Sequence, residues 1–230
     1  MTKLYYIPTL RKDHFDPKVV KTLIIANVVM FVIRLAYSPI LFTLGLIPNN
    51  ILRGEALYTL ITHMFLHYDF LHIFLNMYAL FIFGPECERE FGRLKFLLLY
   101  FISGLTGAFL HVALTTRGDI PAVGASGAIF GVMAAYAMLY PHRRLAVFFF
   151  IGFIILPAWA LVLFFAVFEL LYFFLLPLDS IAHAAHLGGM LGGVIFTWHH
   201  KKFKRKERPF IEPIIITYER REEYYDYDYW

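Results

Sequence analysis

Long apolar runs separated by short polar segments are the dominant pattern along this chain of 230 residues. Several runs reach the roughly 20 residues that an α-helix needs to cross a hydrocarbon core about 30 Å thick. The pattern predicts six membrane-spanning helices, at residues 19–36, 70–86, 94–114, 122–140, 157–176 and 181–198. It therefore predicts an all-α membrane protein made of one bundle with short polar ends.

Two other apolar segments do not fit as spans. The segment Tyr37–Asp69 is interrupted by prolines, glycines and charged residues, and we interpret it as a long loop partly embedded in the membrane interface. The segment Leu145–Leu156 is too short for a full crossing and ends at a proline, which favours a re-entrant or interfacial element. Its backbone would need protein or water around it.

Composition and charge support a membrane protein over other classes. The chain is 60% hydrophobic and only 17% charged, less charge than a soluble domain usually carries. Its net charge of +4 could suggest nucleic-acid binding, but the basic residues lie beside the apolar runs, where they set topology. We therefore expect the lipid bilayer as a partner and no nucleic acid.

The distribution of Lys and Arg predicts the orientation. With both ends inside, the inner segments, counted as far as Arg208 in the tail, contain 16 basic residues and the outer segments 3. This bias predicts a cytoplasmic N-terminal segment at 1–18, a membrane domain at 19–200 and a cytoplasmic polar, tyrosine-rich tail at 201–230. No targeting extension is visible, so the plasma membrane is the expected location.

A serine lies among small residues at the start of the predicted fourth span, in Gly124-Ala-Ser-Gly127. Small neighbours leave the hydroxyl of Ser126 accessible and let another helix approach closely. Gly127 and Gly131 share one helix face because they are four residues apart. Taken alone, this motif suits simple helix packing as well as catalysis.

A histidine motif, HAAHLGGMLGG, begins the predicted sixth span. His186, Gly189 and Gly193 share one face of a helix, and this face could meet the glycine face of the fourth span. That contact would bring His186 towards Ser126, and a neutral histidine is a suitable base for a serine nucleophile. His183 lies one turn nearer the outer end, and either histidine could instead be a packed, hydrogen-bonded side chain.

Polar side chains also mark the predicted second span. His72 and Asn76 project from one face and can donate hydrogen bonds to the oxyanion of a tetrahedral intermediate, together with the N–H of Ser126. A metal site is the alternative explanation, because His63 and His67 have the spacing of helical zinc ligands. The catalytic glutamate of an HExxH motif is absent and no third ligand follows, so we expect no metal.

Three remaining polar residues in or near spans need an explanation. Cys87 is the only cysteine, which excludes an internal disulfide, and we interpret it as structural. Glu169 lies in the predicted fifth span, where we expect it to be protonated or hydrogen-bonded inside the bundle. Asn27 in the first span is expected to make a packing hydrogen bond.

In combination and in this order, the motifs resemble the rhomboid family over roughly Leu57–Phe196. The matching residues are His67, His72 and Asn76 in HxxxxHxxxN, Gly124 to Gly127 in GxSG, and Ala185 to Gly193 in AHLGG and the glycines that follow. The resemblance implies a six-helix rhomboid-like bundle with a partly embedded first loop. It also implies an intramembrane serine endopeptidase without a cofactor, which cleaves transmembrane segments of other proteins through an acyl-enzyme.

The resemblance also assigns roles to residues. It implies that Ser126 is the nucleophile and His186 its base in a dyad without an acidic third member, with His72 and Asn76 stabilising the oxyanion. It makes His67 a structural residue of the loop before the second span, and it places Phe130 where an aromatic ring packs on the catalytic histidine. Asp179, at the predicted outer mouth, is rejected as a third member.

The resemblance leaves one alternative function open. A non-proteolytic rhomboid-like protein would bind membrane clients without cleaving them, but such relatives usually lack the serine or the histidine, and this chain has both. A small transporter is a further alternative, for which the sequence gives no inverted repeat of broken helices.

Overall fold

Helices make up most of the chain in the computed structural model, which describes residues 15–115, 118–149, 152–175 and 182–207. In chain order the helices are α1 (Lys18–Ala36), α2 (Ile40–Leu44), α3 (Pro48–Leu52), α4 (Thr59–Thr62), α5 (Phe70–Phe91), α6 (Arg93–Leu114), α7 (Ser126–Leu139), α8 (Ala158–Leu175) and α9 (His183–Glu207). A turn of 3-10 helix at His63–Phe65 follows α4. Strands β1 (Arg144–Phe149) and β2 (Gly152–Pro157) form an antiparallel hairpin.

Four of these helices, α1, α5, α6 and α8, are long and apolar enough to cross a membrane. The helix α7 has only 14 residues, and α9 ends in a run of lysines and carries histidines at its start. Large apolar side chains such as Ile25, Phe81 and Phe174 point away from the bundle, each more than 60% exposed. An apolar outer surface of this extent suits a lipid environment. The chain is therefore a mostly helical, multi-pass integral membrane protein.

The short helix α7 lies at the centre of the bundle. Ten of its residues are buried, and it packs against α5, α6, α8 and α9. Because α7 is surrounded by other helices, even its small side chains are covered. A short, fully enclosed helix is the natural place for a polar site that must be kept away from lipid.

Glycine faces let α7 and α9 approach closely. A Cβ atom built on Gly189 would overlap the carbonyl oxygen of Gly127, and one built on Gly193 would overlap that of Gly131. The predicted contact between the glycine faces of these two helices is thus present. At these glycines only backbone atoms lie between the two helix axes. The close contact fixes how far α7 and α9 are shifted relative to each other along their axes.

The second predicted span ends later than the sequence indicated. Residues 70–86 were predicted, whereas α5 continues past Pro85 to Phe91. The extra turns are held by packing, since Cys87, Glu88 and Phe91 are buried. The carboxylate of Glu88 accepts hydrogen bonds from the backbone N–H groups of Val19 (3.1 Å) and Val20 (2.9 Å), which caps the start of α1.

The fourth predicted span, 122–140, begins four residues too early. The helix α7 starts only at Ser126, because the preceding residues are extended and tied to the first loop. Leu46 and Ala122 exchange two backbone hydrogen bonds of 2.9 and 2.8 Å, and the N–H of Gly124 donates to the carbonyl of His63 (2.9 Å).

The first loop and the segment 145–156 also gain detail. The loop contains α2, α3, α4 and the 3-10 turn, and its placement in the membrane interface stays a prediction. Residues 145–149 and 152–156 lie in the two paired strands, so the expectation of an all-α chain was wrong here. A continuous apolar run does not distinguish a strand from a helix, so the pattern could not indicate this hairpin.

Several predictions fall outside the described residues. They concern residues 1–14, 116–117, 176–181, which include Asp179, and 208–230. At the other end of the membrane domain, α9 continues to Glu207, beyond the predicted span boundary at 198.

The glycine contact yields a first prediction. Gly189→Ala places a methyl group against the backbone of Gly127, so we expect the free energy of unfolding to fall by about 1–3 kcal/mol. Thermal unfolding in detergent micelles measures the loss. Val194→Ile, which adds one methyl group at a 40% exposed position of the same helix, is the control and should unfold like wild type. Equal melting temperatures for both variants would contradict the glycine contact.

Candidate active site

The serine predicted as nucleophile occupies the first position of α7. Gly124, two residues earlier, has a φ of +132°, a conformation that residues with a Cβ rarely adopt. A Cβ at Gly124 would also lie 2.8 Å from Nε2 of His72 and 3.5 Å from the hydroxyl of Ser126. Position 124 therefore needs glycine both for its backbone conformation and for lack of space. The ring of His72 and the hydroxyl of Ser126 border the space that a side chain would fill.

The structure brings Ser126 and His186 into direct contact. The Oγ atom of Ser126 lies 2.8 Å from Nε2 of His186, across the interface between α7 and α9. The ring of Phe130, one turn after the serine, stacks on the imidazole of His186 with a centroid distance of 4.4 Å and an interplanar angle of 13°. The serine is half-buried and the histidine is buried, and the imidazole contacts both the hydroxyl and the ring of Phe130.

The two side chains predicted to hold an oxyanion, His72 and Asn76, lie one turn apart in the first half of α5. His72 follows the helix cap Asp69, whose carboxylate accepts the backbone N–H of His72 (2.8 Å). The Nδ2 atom of Asn76 donates one hydrogen bond to the carbonyl of His72 (2.8 Å). An amide NH₂ group has two hydrogens, so this bond leaves the second one for another acceptor. The oxyanion roles themselves stay predictions.

Two buried histidines of the first loop, His63 and His67, lie in the chain just before α5. His67 is fully buried and its ring meets that of His72 edge-on at 4.9 Å. The Nδ1 atom of His63 hydrogen-bonds the carbonyl of Thr59 (2.7 Å). Burial lowers the pKa of His67 to about 3 and that of His63 to about 4, so both rings are neutral at physiological pH.

The sequence interpretation missed an acidic partner of the histidine. Glu169 of α8 is buried, and its Oε1 atom lies 2.9 Å from Nδ1 of His186. Its Oε2 atom lies 2.6 Å from Nδ1 of His183. The expectation that Glu169 would be hydrogen-bonded inside the bundle is confirmed. The resemblance implied a Ser126–His186 pair without an acidic neighbour, but the structure places the carboxylate of Glu169 next to His186. The signal in the sequence that could have indicated this partner is the presence of an ionisable residue inside an apolar span.

The same three side chains are the group among the described residues that could hold a metal ion. The ligand atoms of Glu169, His183 and His186 lie within 4.8 Å of one another. Their direct contacts of 2.6 and 2.9 Å are hydrogen-bond lengths. Zinc ligands at about 2 Å from a shared ion would be spaced more widely. His63 and His67, the pair considered from the sequence, are not part of this group.

Comparison with known proteins identifies the family. The family model described as Rhomboid domain matches residues 54–203, which include every residue of the site. The chain belongs to the rhomboid family. It is 33% identical over 161 residues to Rhomboid protein 1, mitochondrial, of Saccharomyces cerevisiae, an alignment that covers 65% of this chain and 44% of the yeast protein.

Bacterial rhomboids are also similar. The Putative rhomboid protease YdcA of Bacillus subtilis is 38% identical over 95 residues, which cover 41% of this chain and 47% of that protein. The Rhomboid protease GluP of the same organism is 29% identical over 153 residues, or 66% of this chain and 28% of that protein. The rhomboid chain thus spans less than half the length of these three relatives.

The buried loop histidines yield a second prediction. The unfolded chain protonates His67 near pH 6.5 but the folded chain only near 3, so stability falls as the pH falls through this window. Between about pH 7.5 and pH 5 this one histidine should lower the free energy of unfolding by about 2 kcal/mol. The measurement is unfolding in mixed micelles at both pH values.

A matched pair of variants isolates this effect. His67→Gln should remove about 2 kcal/mol of the loss on acidification, whatever it does to stability at neutral pH. Tyr68→Phe removes the hydrogen bond from the Tyr68 hydroxyl to the carbonyl of Pro121 but keeps His67, so it should retain the wild-type pH dependence. An unchanged pH dependence in His67→Gln would contradict the burial of this ring as a neutral group.

Proposed function

We propose that this rhomboid is an intramembrane serine endopeptidase that cleaves transmembrane segments of other membrane proteins. The observation that carries the proposal is the 2.8 Å contact between Oγ of Ser126 and Nε2 of His186. A serine hydroxyl is a weak nucleophile until a base accepts its proton, and this contact puts a base in place. The printed names of the two bacterial relatives, which include the word protease, agree with this function.

The reaction follows from the positions of the groups. Oγ of Ser126 attacks the scissile carbonyl carbon while its proton passes to Nε2 of His186, and the carbonyl electron pair moves onto the oxygen. Collapse of this intermediate breaks the C–N bond, and His186 returns the proton to the leaving amine. Water then hydrolyses the acyl-enzyme by the same steps in the second half of the cycle.

The proposed donors for the oxyanion are one backbone N–H group and two side chains. The backbone N–H of Ser126 is at the first position of α7, where helix N–H groups have no partner within the helix. His72 and the second amide hydrogen of Asn76 are the proposed side-chain donors. Donors that are in place before the substrate arrives stabilise developing charge most effectively.

The proposed membrane topology has six crossings, formed by α1, α5, α6, α7, α8 and α9, with both ends in the cytoplasm. The excess of basic residues in the inner segments supports it. In this topology Ser126 and His186 both lie near the outer ends of their helices, so water could reach them from the outer side. A substrate helix would have to unwind locally, because an intact helix hides its carbonyl groups in hydrogen bonds.

The proposed location is the plasma membrane. Several relatives carry the word mitochondrial in their names, which makes a mitochondrial membrane the alternative. A fluorescent fusion of the protein in its own cells distinguishes the two. The alternative function, a client-binding protein without proteolysis, would have no need for the contact between Ser126 and His186.

Removing either member of the pair provides the third prediction. Ser126→Ala and His186→Ala should each reduce cleavage of a reconstituted single-span substrate at least about a thousandfold, because the nucleophile or its base is lost. A fluorophosphonate probe should label wild type at Ser126 and leave Ser126→Ala unlabelled. Ser38→Ala, which removes an exposed hydroxyl of the first loop, is the control and should cleave at the wild-type rate. Cleavage by Ser126→Ala would exclude the proposed nucleophile.

The oxyanion donors provide the fourth prediction. His72→Ala and Asn76→Ala should each lower kcat by about a hundredfold to a thousandfold with a smaller change in KM, because the lost bonds strengthen in the transition state. Leu75→Ala, at a 53% exposed position on the same helix, should keep the wild-type kcat. A wild-type kcat in both the His72 and Asn76 variants would remove these side chains from the proposed oxyanion site.

A further inference from the structure

The carboxylate of Glu169 is shared between two histidines of α9. Oε1 lies 2.9 Å from Nδ1 of His186 and Oε2 lies 2.6 Å from Nδ1 of His183. All three residues are buried, at 9% exposure or less. An acidic residue in the interior of an apolar helix is costly unless its oxygens are paired, and here each oxygen has one imidazole partner.

This arrangement selects one tautomer of His186. A carboxylate oxygen has lone pairs and no hydrogen, so Oε1 at 2.9 Å from Nδ1 of His186 favours the tautomer with the hydrogen on Nδ1. In the neutral ring Nε2 then has the lone pair, and Nε2 is the atom that faces the hydroxyl of Ser126. The carboxylate thereby turns the correct atom of the base towards the nucleophile.

We propose that Glu169 is a positioning residue that forms, with Ser126 and His186, a Ser–His–Glu triad, in which His183 holds the second carboxylate oxygen. The inference rests on the proposed function and adds a member to its machinery. When His186 takes the serine proton, it becomes a cation, and the neighbouring carboxylate stabilises that charge without itself accepting the proton. The Nδ1–H bond stays intact through both halves of the reaction.

Several titratable side chains lie near the carboxylate of Glu169 and the imidazole of His186. Among the described residues, His72 on α5 and His111 on α6 lie near the imidazole of His186, His183 on α9 contacts the carboxylate, and Tyr172 on α8 packs against His183. The helix α7 contributes Ser126 and the ring of Phe130. Among these neighbours the carboxylate supplies the negative charge. It is therefore the group whose removal should alter the stability of a protonated His186.

The competing explanation is purely structural, with Glu169 tying α8 to α9. Glu169→Gln separates the two, because it keeps the shape and one acceptor but removes the charge. Its NH₂ group can face Nδ1 of His186 only when Nδ1 has the lone pair, which puts the hydrogen on Nε2 and blocks the base. We expect kcat to fall by about a hundredfold to ten-thousandfold with little change in KM.

The pH profile provides the second readout. Without its negative neighbour the protonated form of His186 is less stable, so the acid limb of kcat/KM should move to lower pH in Glu169→Gln. Glu169→Asp keeps the charge on a shorter side chain and should recover part of kcat with an acid limb near that of wild type. A merely structural loss would lower the amount of active enzyme and leave the acid limb in place.

The controls separate this inference from the proposed function. Leu170→Ala, at an adjacent position of α8 that is 47% exposed, should keep wild-type kinetics. Ser126→Ala should have no activity, whereas Glu169→Gln should retain residual cleavage and fluorophosphonate labelling. If Ser126→Ala is inactive while Glu169→Gln has the wild-type kcat and acid limb, the triad is wrong and the protease stands.

Two further results would overturn the triad. One is a Glu169→Gln variant whose loss of kcat matches its loss of folded protein, with an unmoved acid limb. The other is inactivation of the wild-type enzyme by a chelator with recovery on adding zinc, which would assign Glu169, His183 and His186 to a metal ion instead. If Glu169→Gln does not fold, Glu169→Asp decides: a reduced kcat with full labelling and an acid limb near that of wild type supports the triad, and a loss of activity that only matches the loss of labelled protein contradicts it.

Discussion

The close approach of α7 and α9 is the contact on which the site depends. Gly127 and Gly131 on one helix meet Gly189 and Gly193 on the other, with no side chain between the backbones. This spacing allows a serine hydroxyl on the first helix to reach an imidazole on the second at 2.8 Å. A Cβ atom on Gly189 or Gly193 would overlap a carbonyl oxygen of α7, so the two backbones could not keep this separation.

A second constraint acts on the carboxylates buried among apolar helices. Glu88 uses both oxygens to accept the first N–H groups of α1, and Glu169 uses both oxygens on imidazole rings. A carboxylate that is removed from water needs a partner for each oxygen. At Glu88 these partners fix the start of a helix, whereas at Glu169 they are side chains next to the candidate site. The partner decides the role of each carboxylate: a helix end fixes backbone, whereas an imidazole beside a serine can exchange protons.

The sequence predicted the parts of the site that follow from periodicity on single helices. The glycine faces and the position of His72 one turn before Asn76 are of this kind, and the family resemblance selected His186 over His183. The position of Glu169 could not be predicted, because it depends on how α8 rotates against α9. Residues 144–157 were equally undetermined, since a continuous apolar run fits a hairpin as well as a helix.

The error at the start of α7 bears directly on mechanism. If the helix began at residue 122, as hydropathy indicated, the N–H of Ser126 would bond the carbonyl four residues earlier and could not serve an oxyanion. The positive φ of Gly124 prevents a helix from running through residues 122–125. The backbone hydrogen bonds between Leu46 and Ala122 and from Gly124 to His63 hold this segment against the first loop. The first loop therefore determines which backbone N–H of α7 is available. A hydropathy window cannot detect this, because alanine and valine are equally apolar in a helix and in an extended segment, and only contacts with a distant loop decide between them.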